Sequence, residues 1–215
     1  MKLHWSPSAP FARKVMVAAH ALGLAGDIIC VRSRVGPARL NADLMADNPL
    51  NKLPTLVLAD GTALYDSRVI CEYLDALAGG GILFPASGPS RWQALRRQCL
   101  ADGMLDALIL GRDEYYRGDG HRSSAHVHGY AAKVSAVLDA MEADAPALAI
   151  AAPDIGAIAI GVALAYLDFR ASDTPWREGR PALAAWERDF AQHPAMLAAP
   201  FVSEGGGKFA FYAID

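Results

Sequence analysis

Cysteine is scarce in this 215-residue sequence, and its spacing excludes two kinds of structure. The three cysteines, Cys30, Cys71 and Cys99, are an odd number, lie far apart and include no C-x-x-C pair. A small disulfide-stapled protein needs a denser and even set, and a structural zinc site needs paired thiols. We therefore expect no disulfide framework and no metal, and we expect the three residues to be thiols of the core.

An excess of positive charge is also missing. The formal net charge is -3, with 20 Lys and Arg against 23 Asp and Glu. A strongly basic surface is what attracts nucleic acids and anionic membranes, so neither is an expected partner. A small molecule is the better expectation.

No apolar run is long enough to cross a bilayer. The longest, residues 155–167, is bounded by Asp154 and Asp168 and is shorter than a membrane span requires. The first residues, MKLHW, lack the apolar run of a signal peptide. We expect a cytoplasmic protein in which residues 155–167 form a buried core helix.

The first 79 residues alternate between strand and helix patterns. Short β-branched or apolar runs predict strands, apolar residues at helical spacing predict helices, and Asp60-Gly61 predicts a hairpin turn. Residues 34–48 have no clean period and are predicted to be a loop or an irregular helix. The predicted strands are 2–5, 27–33, 55–59 and 63–65, and the predicted helices are 10–22 and a segment spanning 69–77.

The rest of the sequence is helical in pattern. A Gly, Pro and Ser-rich break at 79–89 separates it from the first part. We therefore predict an α/β N-terminal domain at 1–79, a linker at 80–89 and an all-α C-terminal domain at 90–215. The helices predicted in that domain are 91–111, 126–141, 154–170 and 181–193.

Three segments of the N-terminal part carry groups that could bind a ligand. Ser8 precedes the first helix, where unsatisfied amides and the helix dipole favour an anion. Leu53 precedes Pro54 at the head of a strand, so its backbone groups are available to a peptide-like ligand. Asp66 and Ser67 precede the helix predicted at 69–77, whose N-terminus could bind a carboxylate. Each also has a plain structural reading, as helix caps or as a proline that protects an edge strand.

Together these segments resemble the cytosolic glutathione transferase superfamily, especially bacterial members related to the theta and delta classes. The resemblance covers essentially the whole chain. Its N-terminal part lies in SAPFARKV (8–15), NKLPTL (51–56) and DSRVICEYL (66–74). Its C-terminal part lies in ADGMLDA (101–107) and in Asp154-Ile155 followed by AYLDFR (165–170).

The resemblance implies a thioredoxin-like N-terminal domain, an all-α C-terminal domain and a homodimer. It implies that Pro54 is a cis-proline and that Leu53 offers its backbone to the cysteinyl part of glutathione. Asp66 and Ser67 would hold the γ-glutamyl end, and Lys52 would lie near the glycyl carboxylate. Glutathione is then a co-substrate, and the second partner is a small hydrophobic electrophile.

The thiol activator implied by the resemblance is Ser8. Relatives with a cysteine or serine directly before the helix-opening proline have their counterpart at Ala9, which cannot act on a thiol. Ser6 remains a second candidate. Whether Asp102 reaches glutathione across a dimer interface also stays open.

Three functions are compatible with the sequence. The first is glutathione transfer to electrophiles, which predicts a detoxification enzyme. The second is glutathione or ligand binding without turnover, because a fold does not fix a function. The third is a glutathione-dependent isomerase, lyase or dehalogenase, which would share the thiol site and differ in the acceptor pocket.

Overall fold

The computed structural model describes residues 1–117, 120–172 and 174–204, which divide into two compact units. Within those residues, the first unit is Met1–Trp92 together with Pro194–Glu204, and the second runs from Gln93 to His193. The domain limits expected from the sequence, 1–79 and 90–215, stay a prediction, and they do not include the return of 194–204 to the first unit.

The first unit is built on a four-stranded mixed sheet, as the sequence pattern predicts. Its strands are β1 (Lys2–Trp5), β2 (Ile29–Arg32), β3 (Thr55–Val57) and β4 (Ala63–Leu64). The order across the sheet is β2-β1-β3-β4. Strand β1 runs parallel to β2 and antiparallel to β3, and β3 runs antiparallel to β4.

Eight α-helices occur among the described residues, and all the predicted ones are present. The helices are α1 (Pro10–Ala21), α2 (Ala42–Asp47), α3 (Ser67–Leu77), α4 (Gly88–Tyr115), α5 (Ser124–Asp144), α6 (Ile155–Arg170), α7 (Pro181–Phe190) and α8 (Pro194–Ala198). Helix α1 packs against α3 and against the short α8. Helix α4 begins in the first unit and continues into the second from Gln93 onward.

Helix α2 is a regular α-helix within residues 34–48, where the sequence pattern predicts a loop or an irregular helix. Asn41 caps it, since its side-chain oxygen accepts a hydrogen bond from the Leu44 amide at 3.0 Å. At the other end, Asp47 accepts from Lys2 at 2.7 Å and contacts His4 Nε2 at 2.8 Å. The contacts that hold the helix end are thus made with β1, far away in the sequence. The spacing of apolar residues within 34–48 therefore gives no signal of the helix.

The C-terminal segment returns to helix α1 through Arg13. The Arg13 guanidinium is buried and donates to the carbonyls of Ala199 and Met196, at 2.5 and 3.3 Å. It also lies over the ring of Phe201, with 4.3 Å between the guanidinium carbon and the ring centroid. Burial lowers the pKa of Arg13 to about 10. A residue of the first helix thus holds the chain at 196–201.

Asn48 fixes the loop between α2 and β3. It is fully buried and donates to Thr55 Oγ1 at 2.8 Å and to the Lys52 carbonyl at 3.4 Å. It also accepts a hydrogen bond from the Leu50 amide at 3.0 Å. These three bonds cross the loop that contains Leu53, so Asn48 determines how that residue is presented.

The second unit contains α6, the apolar helix at its core. Asp154 caps it and accepts from the Ala157 amide at 2.8 Å, as its place before the apolar run predicts. Gly156, in the first turn, lies against α4: a Cβ there would be 2.6 Å from the Cβ of Arg97 and 2.8 Å from the carbonyl oxygen of Ala94. The close approach of these helices requires a residue without a side chain.

The cysteines, all among the described residues, form no disulfide. Cys71 is buried and Cys30 is partly buried, but Cys99 is exposed on α4. The expectation that all three lie in the core is therefore wrong for Cys99. A single apolar residue on a long helix gives no signal of which face it occupies.

We predict that Gly156→Ala lowers the free energy of unfolding by at least about 2 kcal/mol, since the added methyl would overlap a backbone carbonyl that cannot move aside. Gly129→Ala is the matched control, because Gly129 lies on α5 and a Cβ there would meet no neighbouring atom within 4 Å. That variant should be stabilised by about 0.5–1 kcal/mol through helix propensity alone. Urea unfolding measures both, and equal effects would contradict the close packing.

We predict that Asn48→Ala lowers the free energy of unfolding by about 3 kcal/mol, because it removes three hydrogen bonds of about 1 kcal/mol each, to the Thr55 hydroxyl, the Lys52 carbonyl and the Leu50 amide. Asn51→Gly provides the comparison. Asn51 has a φ of 53°, which glycine adopts readily, and its side-chain bonds are more exposed. Its loss should cost less than about 1 kcal/mol. Chemical denaturation measures both variants. Equal losses in the free energy of unfolding would contradict the role of Asn48.

Candidate functional site

Four chain segments meet at one edge of the sheet because of the strand directions. Strands β1 and β2 are parallel, so both end there, at Trp5 and Arg32. Strand β3 is antiparallel to β1 and begins there, directly after Pro54. Strand β4 is antiparallel to β3 and ends there, two residues before Asp66. The predicted site residues therefore lie along a single edge.

Ser8 lies in the turn between β1 and α1. Ala9, not Ser8, is the N-cap of α1, and no side chain caps the helix amides. The capping interpretation of Ser8 is therefore wrong. Its hydroxyl is 3.1 Å from that of Ser6, and the Ser8 amide donates to Ser6 Oγ at 3.3 Å. The two candidate activators thus form one hydroxyl pair.

Leu53 precedes Pro54 through a cis peptide bond, as the resemblance implies. No hydrogen bond within the described part of the chain uses the Leu53 amide or carbonyl. The Lys52 carbonyl instead accepts from Thr55 Oγ1 at 3.0 Å, and the Lys52 side chain is exposed. Leu53 therefore has an amide and a carbonyl available at this edge, with an exposed cation beside them.

Asp66 and Ser67 form the start of α3. Asp66 caps the helix, accepting from the Arg68 amide at 2.9 Å, so the capping interpretation holds for this residue. Ser67 is the first helical residue and is only 2% exposed. No hydrogen bond among residues 1–117, 120–172 and 174–204 uses its hydroxyl. That hydroxyl, at a helix N-terminus, is suited to a carboxylate.

The carboxyl group of Asp66 favours its ionised form. Burial acts to raise its pKa, but the hydrogen bonds from Arg68 and the charges of Arg68 and Lys14 act against this, and the pKa of Asp66 lies below its ordinary value. Lys14 is fully buried on α1, which packs against α3. Asp66 therefore presents a negative charge at neutral pH. The neighbouring Ser67 hydroxyl can donate a hydrogen bond to an anionic group.

Glu204 contacts the hydroxyl pair and Arg32 contacts Glu204, and sequence reasoning missed both residues. Glu204 accepts hydrogen bonds through Oε2 from Ser6 Oγ and from Ser8 Oγ, the latter at 3.3 Å. Its Oε1 forms an ion pair with Arg32 Nε. Arg32 could have been found as a charged residue at the end of a strand parallel to β1, but no sequence signal places Glu204 near Ser8, 196 residues earlier.

The arrangement offers hydroxyl donors, unused peptide groups, a carboxylate and helix N-termini along one edge. Such groups can bind an extended peptide with charged ends and place a polar atom beside the hydroxyl pair. No group of three or more His, Cys, Asp or Glu side chains that could hold a metal ion occurs in the described part of the chain. Of the helices within the described ranges, none is long and apolar enough to span a membrane.

Family models match both parts of the chain. The model described as glutathione S-transferase, N-terminal domain, matches residues 8–77, and the one described as glutathione S-transferase, C-terminal domain, matches residues 124–189. A curated relative, an uncharacterized GST-like protein of Escherichia coli named YibF, is 28% identical, over 85% of this chain and 90% of its own length.

Solved structures agree in fold and sequence. A glutathione transferase family member from Pseudomonas fluorescens Pf-5, solved with bound glutathione, is 40% identical, with a TM-score of 0.89 over 94% of this chain and 99% of its own. A glutathione S-transferase from Methylobacillus flagellatus KT, solved with glutathione bound, is 31% identical, with a TM-score of 0.84 over 94% and 99%. The chain therefore belongs to the glutathione S-transferase family, with a thioredoxin-like N-terminal domain and a helical C-terminal domain.

Proposed function

We propose that this chain binds glutathione at the sheet edge described above and activates its thiol for transfer to a small hydrophobic electrophile. The observation that carries the proposal is the convergence of Ser8, Leu53 and Ser67 on one edge, with the polar groups of Leu53 and Ser67 unused by the protein. The 40% and 31% identical relatives, both solved with glutathione, support it.

Each part of the tripeptide has a counterpart on this edge. The amide and carbonyl of Leu53 pair with the cysteinyl backbone, as a strand would. Ser67 and the N-terminus of α3 bind the γ-glutamyl carboxylate, and ionised Asp66 binds the γ-glutamyl amine. Lys52, which is exposed, lies near the glycyl carboxylate. This binding places the thiol at the start of α1.

Ser8 then lowers the pKa of the thiol. A free thiol has a pKa of about 8.5 and is only a few per cent ionised at neutral pH. Lowering that pKa by about two units requires about 2.7 kcal/mol of preferential stabilisation of the thiolate. A hydroxyl donating to an anion supplies about 1.5–3 kcal/mol, and the helix N-terminus adds some tenths. One serine at this position is sufficient.

The thiolate attacks an electrophilic carbon, so a sulfur–carbon bond forms as the acceptor's leaving group or π-electron pair departs from that carbon. A Pseudomonas fluorescens Pf-5 family member, 40% identical with a TM-score of 0.84, was also solved with S-(propanoic acid)-glutathione. In that molecule carbon is bonded to the glutathione sulfur. A stable thioether in such a relative supports conjugation as the reaction of this chain.

A second candidate function is glutathione binding without turnover. The position of Glu204 favours it, since a carboxylate that accepts from Ser6 and Ser8 occupies the hydroxyls that would serve a thiolate. Screening glutathione with a broad set of aryl halides, epoxides and unsaturated carbonyls separates the two functions. Tight binding with no product would favour the second. An isomerase, a lyase or a dehalogenase would use the same thiol site.

We also expect the chain to form a homodimer, to act in detoxification and to be cytoplasmic, as the family resemblance and the sequence predict.

Replacement of Ser8 by alanine tests the thiol activator. We expect kcat/KM for conjugation at neutral pH to fall about 100-fold, which corresponds to the roughly 2.7 kcal/mol assigned to thiolate stabilisation. Glutathione affinity, measured by calorimetry, should change little. Ser6→Ala is the comparison: full turnover by Ser8→Ala together with loss in Ser6→Ala would transfer the role to Ser6.

Replacement of Ser67 by alanine tests the γ-glutamyl site. We expect the Kd for glutathione to rise at least about tenfold, since a hydrogen bond to a charged group contributes about 1.5–3 kcal/mol. Ser124→Ala is the matched control, because Ser124 is the first residue of α5 and is exposed. Titration calorimetry measures both, and unchanged affinity in Ser67→Ala would remove Ser67 from the site.

A further inference from the structure

The segment that carries Glu204 is held against the start of α1 at several points. The Val202 amide donates to the Pro7 carbonyl at 3.1 Å, within the turn that contains Ser6 and Ser8. Upstream, Arg13 holds the carbonyls of 196 and 199 and lies over Phe201. The Glu204 side chain is 14% exposed. Backbone contacts of this segment therefore hold Glu204 at the hydroxyl pair, in addition to the hydrogen bonds that its side chain accepts from Ser6 and Ser8.

Glu204 takes the hydrogen-bonding capacity that a thiolate would need. A serine hydroxyl has one proton to donate, and the Ser8 hydroxyl donates it to Glu204 at 3.3 Å. Ser6 donates to the same oxygen, Oε2. A thiolate that accepts from Ser8 would have to replace this carboxylate, because two anions cannot share one donor without repelling each other.

Glu204 is poorly suited to be the base that removes the thiol proton. Carboxylic acids ionise about four pKa units below thiols, so transfer of a proton from a thiol to a carboxylate is strongly unfavourable. The other oxygen of the carboxylate, Oε1, forms an ion pair with Arg32. Competition with the thiolate is the role that remains for a carboxylate at this position.

We propose that residues 202–204 are a strap that closes the thiol site, with Glu204 as an internal competitor that glutathione displaces from Ser8. The inference rests on the proposed function, because it names the regulation of the same site. Glutathione can then bind to Ser8 only when residues 202–204 are released from it. Removing the Glu204 charge should therefore open the site.

Glu204→Gln and Glu204→Ala in the full chain test the strap. We expect both to bind glutathione about tenfold more tightly than the wild type and to show a larger thiolate absorbance for the bound tripeptide, because the competing anion is gone. Glu178→Gln is the control, since Glu178 is exposed and its change removes one negative charge elsewhere. Glu204→Asp keeps the charge on a shorter side chain and should lie between the wild type and Glu204→Gln, and thermal unfolding checks that each variant is folded.

Affinity for glutathione that is unchanged or weaker in folded Glu204→Gln and Glu204→Ala, with binding by the wild type intact, would overturn the strap and leave the proposed function standing. If neither the wild type nor any Glu204 variant bound glutathione at millimolar concentration, the proposed function would fall and the strap with it. Binding by the Glu204 variants alone would support both.

Hydrogen exchange in the unmodified chain gives a second and independent measurement. Release of the strap breaks the bond from the Val202 amide to the Pro7 carbonyl, so saturating glutathione should speed exchange of the Val202 amide. Slower exchange with glutathione would mean that the segment closes over the ligand, which is the opposite of the proposal. Exchange of the Val57 amide, in β3 of the central sheet, serves as the internal reference.

Discussion

The hydrogen bonding of β1 to two neighbours is the constraint on which the site depends. A parallel partner on one side and an antiparallel partner on the other fix the directions of β2 and β3, and β4 follows from β3. The end of β1, the start of β3 and the end of β4 must then meet at one edge. The segments of Ser8, Leu53 and Ser67 each give only a weak sequence signal of ligand binding. They lie together because the strand directions bring them to the same edge of the sheet.

Local pattern was sufficient for most of the fold. The four strands, the helices of the second unit and the cap at Asp154 follow from residue types that act on their own neighbours. The order of the site motifs and Pro54 in its cis form agree with the family resemblance. Local pattern does not reveal helix α2, because the bonds from Asp47 to Lys2 and His4 span more than 40 residues.

The candidate site was predictable only where its residues belong to local motifs. Ser8, Leu53 and Ser67 each stand at the start of an element, so sequence could propose them. Sequence also proposed that Ser8 caps its helix, and the structure assigns the cap position to Ala9 instead. Asn48 and Glu204 act through contacts whose partners no spacing rule connects. Contacts that hold the Ser6 and Ser8 hydroxyls and the loop at Leu53 therefore come from residues that belong to no motif.

The buried guanidinium of Arg13 also constrains the order in which the molecule can be completed. Its acceptors are the carbonyls of Met196 and Ala199, which are synthesised 183 and 186 residues after Arg13. Domains generally fold as units while the chain emerges from the ribosome, N-terminal first. The first unit can form its sheet early, because all four strands lie before residue 65, but Arg13 lacks these acceptors until residues 196–199 have been synthesised. The first unit is thus completed only by residues that are synthesised after Gln93–His193 of the second unit.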